Sequence, residues 1–249
     1  MSYANNDGVR IYYELTGSGP PLVLHHGSFG SGEDWKDFGY VDALSSNHQV
    51  ILIDARGHGR SDKPHEPTAY DLRLRVMDVA AVLDDIGLAT ANYFGYSMGG
   101  WIGFGVAKYA PERLNSMILG GAHPYPENMT AFRNLIPQEP NGFIELLKPA
   151  FGPHLTEGIQ QRCMLNDLEA LRALTQDRPS LADALPNISM PCMIFVGDVD
   201  PRFPMVKKCV EQLPSAAFFS LPGLGHIAAC ARSELVLPHI RRFLAGLGE

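Results

Sequence analysis

The pentapeptide Gly95-Tyr96-Ser97-Met98-Gly99 constrains this chain more than any other stretch. It lies between an apolar, strand-prone run (Ala91 to Tyr96) and a helix-like run rich in small residues (Met98 to Ala110). A strand that reverses directly into a helix holds its turning residue in a strained conformation. Glycines two positions before and after keep side chains clear of that turn. Ser97 then projects from the turn with its hydroxyl exposed. The N–H of Met98 points toward the same spot, at the positive end of the new helix. A glycine-rich loop with a serine is common; the strand before it and the helix after it give this one meaning.

A serine hydroxyl is a poor nucleophile at neutral pH. It needs a base within hydrogen-bond reach and a third group to orient that base. Downstream, residues Met193 to Gly197 read as a buried strand that ends in Asp198 and Asp200. Ala217 to Leu221 reads as another strand, running into a glycine-bounded loop, Gly223-Leu224-Gly225-His226, before a final helix. The order is serine, acid, histidine, each just past a strand. That is the order found in parallel-sheet hydrolases.

The remaining pattern fits such a sheet. Val9 to Leu15 alternates like a half-exposed strand, with Ser2 to Ala4 as an edge partner across an Asn-Asp-Gly turn. Continuous apolar runs near 22–26 and 49–54 read as buried parallel strands. Leu72, Val76, Val79, Ala80 and Leu83 recur at helical spacing, and Gly87 stops that helix. Ser116 to Gly121 supplies the next strand. Strand alternating with helix implies a doubly wound, mostly parallel α/β sheet.

Two further segments carry a family resemblance. Leu22-Val23-Leu24-His25-His26-Gly27-Ser28 is a strand ending in His-Gly, and Asp54 to Asp62 reads D-x-R-G-x-G-x-S-D. With the serine turn, the acid strand and the histidine loop, the chain resembles the α/β-hydrolase superfamily over nearly its whole length. The branch is that of small esterases, lactonases, cofactor-free perhydrolases and carbon–carbon bond hydrolases. The resemblance implies Ser97 as nucleophile, His226 as base, and the acid three residues after Gly197, which is Asp200. Asp198 would then bond the turn. It also implies an oxyanion hole from the N–H groups of Met98 and Ser28. His25 and His26 form a doublet with no carboxylate at metal-ligand spacing; the second takes a structural role, and no metal or cofactor is expected. The glycines of the Asp54 loop permit its turn, and Arg56 and Asp62 tie it down.

Residues 122–186 break the rhythm. Amphipathic stretches at Met129 to Ile136, Phe143 to Phe151, Glu157 to Leu165 and Asp167 to Leu174 are punctuated by prolines, and no buried strand is legible. This predicts a small helical cap inserted after the sixth strand, with the core formed by 1–121 and 187–249. Glu157, Gln160, Gln161 and Arg162 read as solvated. Phe29, Tyr125, Trp35 and Phe143 are the candidates to line a substrate pocket, with Trp101, Phe132 and Phe151 behind them.

A formal charge of −7 without any basic run argues against nucleic-acid binding. No apolar run approaches membrane-span length, and the polar Met1 to Arg10 stretch carries no signal-peptide core. The four cysteines show no CxxC spacing and no metal-ligand pattern, and a cytoplasmic, reduced protein is expected. No G-x-G-x-x-G follows the first strand and no P-loop occurs, which sets aside a nucleotide-cofactor enzyme. The expected activity is hydrolysis of a small carboxylic ester or lactone through an acyl-enzyme. Carbon–carbon or amide bond cleavage and peracid formation would use the same residues. A small-molecule sensor with a retained triad is the alternative of another class.

Overall fold

A computed structural model describes residues 2–213 and 215–248; residues 1, 214 and 249 of the expected core lie outside them. The strands are β1 (Ser2–Asn6), β2 (Val9–Thr16), β3 (Pro21–His25), β4 (Gln49–Ile53), β5 (Ala91–Tyr96), β6 (Leu114–Gly120), β7 (Cys192–Gly197) and β8 (Ala217–Leu221). They form one sheet in the order β1-β2-β4-β3-β5-β6-β7-β8. β1 and β2 form a hairpin through Asp7 and Gly8, both at positive φ, and β2 runs antiparallel to β4. Every other pairing is parallel.

The helices are α1 (Gly32–Asp37), α2 (Tyr40–Leu44), α3 (Leu72–Asp85), α4 (Met98–Tyr109), α5 (Thr130–Asn134), α6 (Gly142–Phe151), α7 (Glu157–Met164), α8 (Leu168–Leu174), α9 (Phe203–Glu211), α10 (His226–Ala231) and α11 (Ser233–Ala245). α1 and α2 were not legible as helices. A Ser31–Asp34 capping box starts α1, and Trp35 and Tyr40 anchor the pair. α10 is also additional, and His226 is its first residue.

The period-two alternation of the strands divides the core in two. Val23, Ile51, Tyr93, Met117, Leu119 and Ile194 face one side, against α3, α4 and α9. Leu22, Leu24, Leu52, Phe94, Ile118 and Phe195 face the other, against α1, α2, α10 and α11. A sheet buried on both faces needs continuous apolar runs rather than alternation of polar and apolar residues, and these strands have them.

Between β6 and β7 the chain leaves the sheet and forms α5 to α8. Glu127 and Arg178 pair through both backbone hydrogen bonds, at 3.1 and 2.9 Å, where this insertion begins and ends. Side chains fasten it to the sheet domain. Arg162 of α7, expected to be solvated, instead bonds Asp34 at 2.9 Å and Asp37 at 2.5 Å on α1. The ion-pair partners lie over a hundred residues upstream, which hides the contact from any local reading. Among the described residues no helix is long and apolar enough to cross a membrane.

Candidate active site

Ser97 occupies the link between β5 and α4 with φ 54° and ψ −107°, a left-handed conformation rare for a residue with a Cβ. The flanking glycines follow from close backbone approach. A methyl on Gly95 would sit 2.3 Å from the Gly99 carbonyl oxygen, and one on Gly99 would sit 2.1 Å from that of His25. The Ser97 N–H donates to Gly120 O at 2.8 Å, and its own carbonyl accepts from Trp101 at 2.9 Å. The strained turn is therefore held from both sides.

His226 stands between Ser97 and Asp200. Its Nε2 lies 2.8 Å from Ser97 Oγ and its Nδ1 lies 2.5 Å from Asp200 Oδ2. With Nδ1–H donating to the carboxylate, Nε2 is left to accept the serine proton. The hydroxyl of Tyr96 donates to the His226 carbonyl at 2.5 Å and its ring packs on the imidazole at 5.3 Å. Asp200 is 2% exposed. Burial pushes its carboxyl up, but the His226 hydrogen bond, the Arg202 N–H at 2.9 Å and the Arg202 charge outweigh this and hold it below its ordinary value. Asp198 is engaged elsewhere: Gly223 N–H donates to it at 2.7 Å, bracing the turn after β8.

The strand end at β3 lies against the serine, since a methyl on Gly27 would contact Ser97 Cβ at 3.4 Å. Neither the Ser28 N–H nor the Met98 N–H donates to an acceptor among the described residues. Phe29, next in the chain, has φ 70°, and its carbonyl accepts from the Asn166 amide of the insertion at 3.0 Å.

A cavity of about 320 Å³ opens over Ser97 and His226. Phe29 and Trp35 line it, with Phe132, Leu147 and Phe151 from the insertion. Tyr125 and Phe143 do not, which corrects two expectations. Tyr125 turns toward α9, where the Lys208 ammonium lies 4.7 Å above its ring. Phe143 is fully buried behind Phe29, 5.1 Å from that ring, filling core instead of lining the cavity. Trp101 lines a neighbouring cavity.

Three polar participants carried no sequence signal. Asn166 is one. Arg178 and Arg202 are the others; both line the cavity, and together they grip Glu127 at 3.0 and 2.6 Å. Nothing in their local sequence separates them from solvated arginines.

The remaining singled-out residues are structural in placement. His26 Nε2 accepts from Ala55 N–H at 3.0 Å while Nδ1–H donates to Gly27 O at 2.7 Å, so both ring nitrogens are used. His25 Nδ1 meets the Tyr93 hydroxyl at 2.8 Å. Arg56 forks onto Asp78 at 2.5 and 2.6 Å, and Asp62 accepts from Arg10. Among the described residues no cluster of three or more histidine, cysteine or acidic side chains is arranged to hold a metal ion.

Residues 20–166 match the profile of the family described as the alpha/beta hydrolase fold. Among curated proteins the chain is 26% identical, over 97% of each sequence, to a putative 2-succinyl-6-hydroxy-2,4-cyclohexadiene-1-carboxylate synthase from Bacillus subtilis. It is 29% identical to a 2-hydroxy-6-oxononadienedioate/2-hydroxy-6-oxononatrienedioate hydrolase from Burkholderia vietnamiensis, over 94% of this chain and 92% of that one. Among solved structures it superposes on a thermophilic esterase from Thermogutta terrifontis with a TM-score of 0.86, 24% identity, and coverage of 99% and 98%.

Proposed function

The chain belongs to the α/β-hydrolase fold family, and on that premise we propose that it is a serine hydrolase of small carboxylic esters, open-chain or cyclic. The observation that carries this reading is the hydrogen-bonded run Ser97–His226–Asp200 at the floor of a largely apolar cavity. Ser97 Oγ attacks the ester carbonyl as His226 Nε2 takes its proton. Asp200 holds the tautomer and stabilises the imidazolium. The oxyanion rests on the unused N–H groups of Ser28 and Met98, which cost no reorganisation when the charge develops. On collapse the alcohol leaves with the proton from His226, and an acyl group stays on Ser97. Water then gives its proton to His226, attacks the acyl carbonyl, and releases the acid and free Ser97.

Helices α5 to α8 act as the cap in this reading. Phe132 of α5, Leu147 and Phe151 of α6 and Ile159 of α7 wall the cavity and exclude bulk water, which strengthens the electrostatic contacts within. The substrate is a small molecule, and the four unpaired cysteines accord with a reducing cytoplasmic setting.

The test is turnover of a panel of open-chain esters and lactones, followed by pH-stat, with Ser97→Ala as control. At least one ester class turns over, and the variant loses at least about a thousandfold in kcat while its circular dichroism and Tm are retained. Undiminished activity in Ser97→Ala would end the reading. Cleavage of carbon–carbon bonds alone, with all esters inert, would move the same serine to a different substrate.

A further inference from the structure

A second cavity, of about 360 Å³, adjoins the first; Ser28, Met129 and Arg178 line both. Met98 lines the second but not the first, whereas His226 lines only the first. The second cavity thus shares the Ser28 wall with the first, extends past Met98 and does not reach the histidine.

Its wall holds a buried cation without a counter-ion. Arg75 of α3 is 5% exposed. Its Nε donates to Tyr70 O at 2.9 Å and its Nη2 to Leu174 O at 2.6 Å, and its guanidinium lies over the rings of Tyr70 and Trp101. Nη1 has no partner, and no carboxylate lies within ion-pairing distance, among the described residues. Asp78, one turn further along α3, is taken by Arg56. Arg178 spends one nitrogen on Glu127 and keeps two without acceptors among the described residues. The indole N–H of Trp101 is buried and has no partner among the described residues.

The acids of this wall are already engaged. Asp71 caps α3 through the Arg73 N–H at 2.8 Å. Asp177 accepts from Met129 N–H at 2.9 Å and faces Arg133 at 3.5 Å. Burial, reinforced by the Arg178 charge, works against the charged form of Arg75. A guanidinium in this setting is satisfied by a planar anion that accepts from its free edge.

We propose that this cavity binds a substrate carboxylate, and that the ester is a monoester of a dicarboxylic acid. The proposal rests on the serine-hydrolase reading for its direction. The leaving alcohol must take its proton from His226, so it occupies the first cavity. The acyl chain then passes Ser28 and Met98 into the second, where its far carboxylate meets Arg75, Arg178 and Trp101.

Two measurements on the intact protein test this. The first is calorimetric binding of glutarate against its uncharged diamide. Glutarate binds tighter by about tenfold or more, as charged hydrogen bonds require. Arg75→Met removes the difference and Arg75→Lys restores part of it. The second is the kcat/KM ratio of monoethyl to diethyl glutarate, which favours the monoester and collapses in Arg75→Met. Equal binding of glutarate and diamide by the unmutated protein overturns the proposal, whether or not the variants fold. Ester turnover that depends on Ser97 but shows no preference for the monoester also overturns it, and leaves the hydrolase reading standing. Arg75-dependent glutarate binding without any ester turnover upholds the anion site and removes the hydrolase reading instead.

Discussion

Asn166 of the helical insertion donates its side-chain amide to the backbone carbonyl of Phe29 at 3.0 Å. Phe29 is held at φ 70°, and it directly follows Ser28, whose N–H has no acceptor among the described residues. The bond therefore connects the insertion to the backbone that would receive the oxyanion. Removing it lets the loop relax from a left-handed conformation that a phenylalanine does not favour. Asn166→Ala is expected to lower kcat by about tenfold or more while KM changes little, since donor misplacement affects the transition state more than the ground state. Steady-state ester hydrolysis measures this; a rise in KM alone would show that the bond shapes the pocket rather than the donors.

Asp200 and Asp198 separate cleanly in the structure. Asp200→Asn is expected to lower kcat by roughly 10³–10⁴-fold, the loss typical when the histidine loses its orienting carboxylate. Asp198→Asn, which keeps an acceptor for Gly223 N–H, loses less than about tenfold. Equal losses would place the acid role on both.

The depressed pKa of Asp200 has a stability consequence. A carboxyl with a lower pKa folded than unfolded stabilises the fold above its unfolded value of about 3.9, and that stabilisation is lost as pH falls through the lower folded value. Thermal unfolding of the unmutated protein and Asp200→Asn between pH 7 and pH 3 reads this out. The variant is the less acid-sensitive of the two; identical pH profiles would refute the linkage.

Arg56 and Asp78 form a buried fork, 3% and 2% exposed, and Asn6 of β1 adds a third bond to Asp78 at 2.7 Å. Asp78→Ala leaves the guanidinium buried and unpaired, at a cost of about 3–5 kcal/mol. For a chain of this size that is a fall in Tm of about 6–10 °C. Scanning calorimetry checks it. A fall confined to activity, with Tm retained, would show that the Asp54 loop takes part in chemistry.

The thiols are expected to react slowly in the folded state. Burial pushes Cys163 and Cys209 up to about 12, and raises Cys192 and Cys230 as well. At pH 8 only about one part in ten thousand of a thiol titrating near 12 is thiolate. A disulfide reagent such as DTNB should react slowly with the native protein and with all four cysteines after denaturation. Fast native labelling of Cys230, which lines the first cavity, would show that this cavity opens readily.

Much of the fold was legible because its signals are local. Continuous apolar runs mark strands buried on both faces, and Gly95 and Gly99 mark a turn where backbones approach too closely for a Cβ. Even the insertion's four helices follow from local amphipathic spacing and caps such as Thr156 and Asp167. The short helices α1 and α2 have too few turns to carry a readable periodicity.

Order along the chain pointed to Ser97, His226 and the Asp198–Asp200 pair, since each follows a strand end and parallel strands deliver their ends to one edge; the family resemblance chose Asp200, whose carboxylate lies 2.5 Å from His226 Nδ1. Choosing among aromatic residues was not possible from order. Phe132 lines the cavity and Phe143 does not, although both lie in amphipathic helices, because helix rotation and docking decide which side faces Ser97. The same holds for charge. Arg162, Arg178 and Arg75 look alike as letters, yet one clasps α1, one shares Glu127, and one is buried with no acid beside it. Strand periodicity and the spacing of glycines about Ser97 are set by neighbours in sequence, so the chain alone determines them. The partners of a buried cation and the walls of a cavity come from residues far apart in the chain, so only tertiary packing decides them.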